Sequence, residues 1–483
     1  MSKKTSQNLM IQSVEGLFTQ IVSFILQLIL ARILLPEDFG VVALLSTFVN
    51  LANTFVVNGL SSALLQRKNA THRDICTVFY IEFIMSILMY MIIFFSAPAI
   101  SSFYGNPQLT LYLRVFALSI VCGGASGIQQ TVSRYNLNFM PSFVAGLSGV
   151  FVQSALGIVL ALHGGGLWSL IISQLSYSFV RGLLLLVLVR WKPTLEFSPK
   201  SFKEMFSYSW KFFLGGIIGT LYLDAFSWII GKKFSSETLG YYTKGNSIPA
   251  VIRRIVVQTT TAVMLPSIAK NKDDVNAVKI QTRNMIAVSS ALIFPIMAGV
   301  AGVAEEFVEI VLTSKWLPCV PVIKIMCISL ALNVINNANM QSYNATGRSD
   351  MFLKFELSKR LISIVVILAL SFVNYYAMLW GTVLMALLSL VINAIYNQKM
   401  FGYSWIEYII DIVPYVFAGT FLFVSLKCFE LLEASLLLTL FFKIFICAII
   451  FVALIIVNKF SGYKMLNEIL FNLIRKRKRD NLK

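Results

Sequence analysis

The stretch "ILARILLPEDFGVV", residues 29–42, closes a long apolar run, crosses a short acidic break and re-enters apolar sequence. Farther along, "IIGKKFSSETLGYY", residues 229–242, does the same. Aligned without a gap, the two pair Arg32 with Lys232, Glu37 with Glu237, Phe39 with Leu239 and Gly40 with Gly240. An acidic break between two apolar runs predicts a helical hairpin turning at the outer side of a membrane. In this reading Pro36 or Ser236 stops the helix and Gly40 or Gly240 permits a tight return. A turn made twice points to a duplicated unit.

The duplication extends beyond the turn. "YLRVFALSI", 112–120, matches "VIKIMCISL", 322–330, and "IVLALHGGGLW", 158–168, resembles "VILALSFVNYY", 366–376. The offsets of 200, 210 and 208 predict one six-helix unit at 1–200 and a second copy at 201–400. Residues 401–483 add two spans and a basic tail, and "RWKPTLEFSPKSFKE", 190–204, reads as the linker between the halves. Each copy has an even number of spans, so the copies are expected to be parallel, with a substrate path between them.

Composition agrees. Apolar residues make up 57% of the 483-residue chain and charged residues 13%, too little polar surface for a soluble protein of this length. Apolar runs long enough to span a bilayer as helices occur fourteen times: 12–35, 41–64, 76–98, 108–132, 141–162, 167–190, 207–231, 243–265, 284–304, 320–344, 359–376, 378–398, 410–427 and 435–458. The strict alternation of a membrane barrel is absent, so the fold class is an all-α polytopic membrane protein. The N-terminus lacks the pattern of a cleaved signal, and the first span is expected to be retained.

The net charge of +18 has a topological reading. With the N-terminus inside, predicted outer loops hold five of the 40 Lys and Arg (Lys232, Lys233, Lys244, Lys315, Lys427) and spans hold eight. The rest fall on inner loops and tails, as the positive-inside rule requires when both termini are cytoplasmic. Nucleic acid is therefore an unnecessary explanation for the charge. The tail "RKRKR", 475–479, follows apolar residues at helical spacing, consistent with a surface helix on anionic headgroups or with a plain stop signal. Six scattered cysteines without a C-x-x-C, and two isolated histidines, suggest neither disulfides nor a metal site. No loop is long enough to fold a catalytic domain and no G-x-x-x-x-G-K-[ST] is present, so the chain reads as a non-enzyme without a cofactor, driven by a gradient or by the fate of its substrate.

"ARILLPEDFGVVAL", Gly59 and "QRKNATHRD" resemble the polysaccharide transport family of the multidrug/oligosaccharidyl-lipid/polysaccharide (MOP) exporter superfamily, the Wzx-type flippases. "LGYY" at 239–242, Pro266, Pro295 and "EEFVEIVLTSKWLP", 305–318, resemble that family's second half, so the likeness covers residues 10–400. "QQTVSRYNLNF", 129–139, departs from it, because relatives often carry a basic residue nearer the Gln pair than Arg134. The resemblance implies two six-helix bundles around a central cleft. It further implies a lipid-linked oligosaccharide, of the undecaprenyl-diphosphate type, passed from inner to outer leaflet by alternating access.

Ionised side chains inside spans cost about 2.5–3.5 kcal/mol on insertion scales and usually face a polar path. Here they are eight basic residues against Glu15, Glu82 and Asp224. Asp224 and Arg253 fall at similar depth on the two arms of the second hairpin, with Arg254 spare and Pro249 one turn away. A structural ion pair is one reading; a phosphate seat built on the planar guanidinium fork is the other. Arg181, near the middle of span six, is a second cavity candidate, as is Arg32 at the first turn. Asn53 and Asn337 stand for the amides of the first half and of span ten, which could meet sugar hydroxyls or one another. Lys443 in the last span has no role in this scheme.

Four readings compete at this stage, one of them a non-transporting membrane scaffold. A lipid-linked oligosaccharide flippase, working beside a polysaccharide polymerase or glycosyltransferases, accounts for the basic spans. A small-molecule or drug exporter of the same superfamily would favour an acid-lined cavity. A membrane glycosyltransferase or polymerase would need outer-loop carboxylates and longer outer loops.

Overall fold

Inside a bilayer the backbone must satisfy its own hydrogen bonds, so each predicted span is expected as a helix. The computed structural model describes residues 3–57, 59–67, 69–271, 273–346, 349–429, 435–457 and 460–467, and no strand occurs among them. All fourteen predicted spans fall on helices. Twelve are long and apolar enough to cross a membrane; for the first span the apolar stretch is Phe18–Ile33. The eleventh falls on Ser349–Ser371. The basic tail at 475–479 lies outside the described residues.

The chain forms two compact units, Met1–Gly240 and Tyr241–Lys483. The first holds α1 (Lys3–Ile33), α2 (Pro36–Val57), α3 (Leu60–Gln66), α4 (His72–Tyr104), α5 (Leu109–Phe116), α6 (Leu118–Tyr135), α7 (Met140–Leu162), α8 (Leu167–Leu188) and α9 (Pro199–Lys233). Local signals start and stop them. Thr71 and Asp74 form a capping box ahead of α4, and Gly105 ends that helix in the left-handed conformation. Ser198 caps α9, with Pro199 in its first turn. The second predicted span is broken, because Gly59 at φ 80° separates α2 from α3.

The repeated turn behaves differently from its sequence reading. Pro36 opens α2 and Ser236 opens α10 (Ser236–Lys270), each after a two-residue break. Leu35 N–H donates to Asp38 Oδ2 at 3.1 Å in one copy, and Thr238 N–H donates to Ser235 Oγ at 3.0 Å in the other. Gly40 and Gly240 lie within the helices and are not turn residues. A Cβ on Gly40 would run into the Ser236 carbonyl, and one on Gly240 into the Pro36 carbonyl. The two turns therefore cross each other glycine to carbonyl, and the missing side chains serve backbone approach.

The second unit continues α10 and holds α11 (Val275–Gly302), α12 (Ala304–Phe307), α13 (Val320–Ala345), α14 (Ser349–Ser371), α15 (Tyr375–Phe401), α16 (Trp405–Ile410), α17 (Val413–Cys428) and α18 (Leu436–Val457). Between α12 and α13, a π-turn at Val308–Leu312 meets a 3₁₀ turn at Ser314–Cys319 through Thr313, whose φ is 83°. This irregular backbone covers the segment "EEFVEIVLTSKWLP".

Two charged clasps hold the elements outside the repeat. Arg283 on α11 grips Asp411 with Nε at 2.7 Å and Nη2 at 3.1 Å, and Glu407 with Nη1 at 2.7 Å. Lys443 on α18 is fully buried; it pairs with Glu306 on α12 and donates to the Gly302 carbonyl at 3.3 Å. Lys443, unexplained by sequence, thus ties an otherwise lipid-exposed helix to α12. Lys244, read from sequence as an outer-loop lysine, is instead 3% exposed within α10, over the Trp316 ring.

Candidate functional site

On α2, Thr47, Asn50 and Thr54 recur at helical spacing and share one face. They meet α9 in three polar rungs. Trp228 Nε1 donates to Thr47 Oγ1 at 2.6 Å, the Asn50 side chain bonds Asp224, and the Thr54 and Thr220 hydroxyls lie 2.9 Å apart. Small residues permit the approach: a Cβ on Gly216 would stand 3.3 Å from Thr54. Ring pairs Phe48–Trp228 and Phe55–Phe213 flank the seam. Asp224 uses only part of its capacity, since its Oδ2 is buried without a hydrogen-bond partner. An ionisable group held this way is poised for a further donor.

A second polar centre joins α6 to α8. With the Gln130 amide oxygen turned toward them, Arg181 donates from Nη2 at 2.7 Å and Arg134 from Nη2 at 3.2 Å. Arg181 Nε is buried and has no partner. Two guanidiniums, Arg181 half-buried and Arg134 exposed in the last turn of α6, share one neutral acceptor and leave net positive charge suited to phosphate oxygens. Arg134, displaced in sequence from the Gln pair, reaches Gln130 because it follows one helix turn later. Sequence reading singled out Arg181 but missed Gln130 as its meeting point; four-residue spacing of Gln130 and Arg134 was the available signal.

At the ends of α6, α7 and α8 a cavity of 440 Å³ opens, lined by Asn136, Asn138, Pro141, Arg190 and Trp191. Leu137, between the two asparagines, has φ 52°. A guanidinium, an indole and two amides around one cavity make a lining that fits a polyol or a phosphate.

The other candidates are dispersed. Arg32 is exposed in the last turn of α1 and Asn53 is half-buried on α2. In the second unit Arg253 is half-buried and Arg254 exposed on α10, whereas Asp224 belongs to the first unit. Asn337 on α13 is half-buried and accepts from Gln341 at 3.5 Å. Its neighbours form amide pairs. Asn393 donates to Asn336 Oδ1 at 2.8 Å, Asn397 donates to Asn339, and Asn339 donates to the Tyr408 hydroxyl at 2.8 Å. Tyr343 donates to Asn397 Oδ1 at 2.9 Å and the buried Lys359 to Asn393 Oδ1 at 3.2 Å. Of the two tasks open to these amides, helix pairing occupies Asn336 and Asn339.

Comparisons with known proteins agree with this architecture. Residues 29–321 match the family model described as polysaccharide biosynthesis protein. The teichuronic acid biosynthesis protein TuaB of Bacillus subtilis (strain 168) is 26% identical over 61% of this chain, and the match spans only 61% of that relative's length. The lipopolysaccharide biosynthesis protein WzxC of Escherichia coli (strain K12) is 23% identical, covering 80% of this chain and 79% of the relative. Among solved structures, the lipid II flippase MurJ in an inward closed conformation superposes with a TM-score of 0.74 at 13% identity, covering 91% of this chain and 96% of that one. The last likeness is one of fold.

Proposed function

The chain belongs to the polysaccharide biosynthesis protein family, and from that premise we propose that it carries a lipid-linked oligosaccharide, of the undecaprenyl-diphosphate type, from the inner to the outer leaflet of a bacterial inner membrane. The observation that carries this reading is the Arg181–Gln130–Arg134 centre, in which two guanidiniums share one neutral oxygen. A diphosphate supplies the missing negative charge, and the planar fork of Arg binds it with two parallel hydrogen bonds. Asp224 with Asn53, and Arg32, Arg253, Arg254 and Asn337, are the further residues assigned to the path, the amides meeting sugar hydroxyls. Alternating access of the two repeats moves the lipid, and a polymerase or glycosyltransferases working on the same glycan are the expected partners. Both termini are cytoplasmic in this scheme.

The test is glycan export in a strain lacking the gene. An Arg181→Gln variant should reach the membrane at normal levels yet export little glycan, and Arg181→Lys should rescue poorly because it keeps charge and loses the fork. Normal export by Arg181→Gln and by the double variant Arg253→Gln/Arg254→Gln would remove the phosphate seat.

A further inference from the structure

Glu82 is a buried acid that the site above leaves unused. It stands on α4, 3% exposed, at the meeting of α3, α4 and α6. Ser61 Oγ on α3 donates to Glu82 Oε1 at 2.6 Å, and Thr131 Oγ1 on α6 donates to Ser61 Oγ at 3.0 Å. Two hydroxyls thus form a chain that ends on the carboxyl. The other oxygen, Oε2, lies against α6 at Gly127, where a Cβ would come 3.3 Å from it. Gly124, one turn earlier, admits the Ser86 side chain. Gly124 and Gly127, three residues apart, thus both face α4, while Gly123 opens to space.

The described charged side chains on the surrounding elements are paired elsewhere or exposed. On α6, Arg134 serves Gln130. Arg67, just past α3, pairs with Asp74 at 2.8 Å and with Glu204 of α9. Arg114 on α5 lies over the Phe94 ring and donates to its carbonyl. On α9, Asp224 is bonded by Asn50 and Lys232 donates to the Phe103 carbonyl. Lys200, Lys203 and Lys233 are exposed near its ends, and the Lys211 side chain lies outside the described residues. Glu37 and Asp38 sit in the first turn of α2, and His72 and Arg73 in the first turn of α4 bond Thr194 and the Phe197 carbonyl. Among the described residues no cation pairs with Glu82. An ionised carboxylate there bears its desolvation cost with one hydroxyl donor in return, whereas the neutral acid does not.

The element that Glu82 holds is short: α3 has seven residues, with Leu60 and Leu64 packed into the core beside Val78 and Ile128. Ser61 is the second residue of α3, which follows the left-handed break at Gly59. Arg67 anchors the opposite end of α3. Broken spans of this kind are tolerated where the freed backbone lines protein or a cavity. We propose that Glu82 is a proton-binding site whose occupancy sets how tightly α3 is held at the break between α2 and α3. The anion takes the Ser61 hydrogen bond as a charge-assisted one, about twice as strong as that to the neutral acid. Taking up one proton on Oε2 neutralises the group and loosens α3; release of that proton to water restores the tight state.

The test uses the full chain in lipid nanodiscs and needs no transport substrate, so its failure would leave the proposed flippase activity standing. Infrared difference spectra between alkaline and acidic pH should show the C=O stretch of a protonated acid, downshifted in D2O. That band should vanish in Glu82→Gln, persist in Asp224→Asn, and shift when Ser61→Ala removes the donor. Hydrogen exchange over residues 59–67, corrected for intrinsic rates, should slow at alkaline pH in the parent and lose its pH dependence in Glu82→Gln. A spectrum unchanged by Glu82→Gln in a folded protein would overturn the proposal. So would loss of the acid band on adding sodium chloride in place of choline chloride, which would make the occupant a metal cation.

Discussion

Two kinds of polar seam, the α13–α15 amides in the second unit and the α2–α9 and α6–α8 contacts in the first, are satisfied to different degrees. Between α13 and α15, Asn336, Asn339, Asn393 and Asn397 bond one another, with Tyr343, Tyr408 and Lys359 closing the ends. Between α2 and α9, and between α6 and α8, the rungs are incomplete: Asp224 Oδ2 and Arg181 Nε are buried without partners. A satisfied network rigidifies helix packing, whereas an unsatisfied polar atom is a cost that a ligand or a proton can offset. The difference separates amides that join α13 to α15 from charged groups on α8 and α9 with hydrogen-bonding capacity left over.

The strongest way to break this contrast lies in the second unit. Glu306→Ala strands Lys443 in the interior and should cost about 3–5 kcal/mol, read as loss of the monodisperse peak in fluorescence-detected size exclusion. The double variant Glu306→Met/Lys443→Met should recover the peak; a stable Glu306→Ala protein would show that the clasp is not structural. A smaller loss is expected from Asn339→Leu, which deprives Asn397 and Tyr408 of partners at roughly 1–3 kcal/mol. Thermal unfolding in detergent should register that drop, and Thr54→Val in the first-unit seam should fall by less. If the two shifts are equal, the two seams do not differ as described. The smallest stability effect belongs to Asp224→Asn, which removes a charge with one bonded oxygen and keeps the shape. Its melting temperature should match the parent while glycan export falls, and unchanged export would return Asp224 to a purely structural role.

Much of the architecture was legible in the sequence because helix formation in lipid is a local matter. Length and apolarity alone define a segment that must satisfy its own backbone, so each predicted span coincides with a helix. The break at Gly59 was harder to see: Asn58-Gly59 is a turn signal, but the apolar run continues past it, and only φ at Gly59 shows the helix interrupted there. Site residues were legible as types and not as partners. Arg181 stood out as a charge in an apolar run, but its convergence with Arg134 on Gln130 depends on how α8 packs against α6.

The repeated turn draws the same line. By itself the sequence determined that the turn occurs twice, that it carries an acid and a glycine at matched places, and that apolar arms flank it, because these are properties of a contiguous stretch. What Gly40 and Gly240 are for was decided only by tertiary structure. They were expected to bend the chain, yet they sit inside helices, each leaving room for a carbonyl of the other turn. A glycine that relieves φ and a glycine that admits a neighbouring backbone look alike in sequence, since the second depends on residues two hundred positions away. Lys443 and Glu306 differ by 137 positions for the same reason: burial made that pair obligatory, and no local pattern announced it.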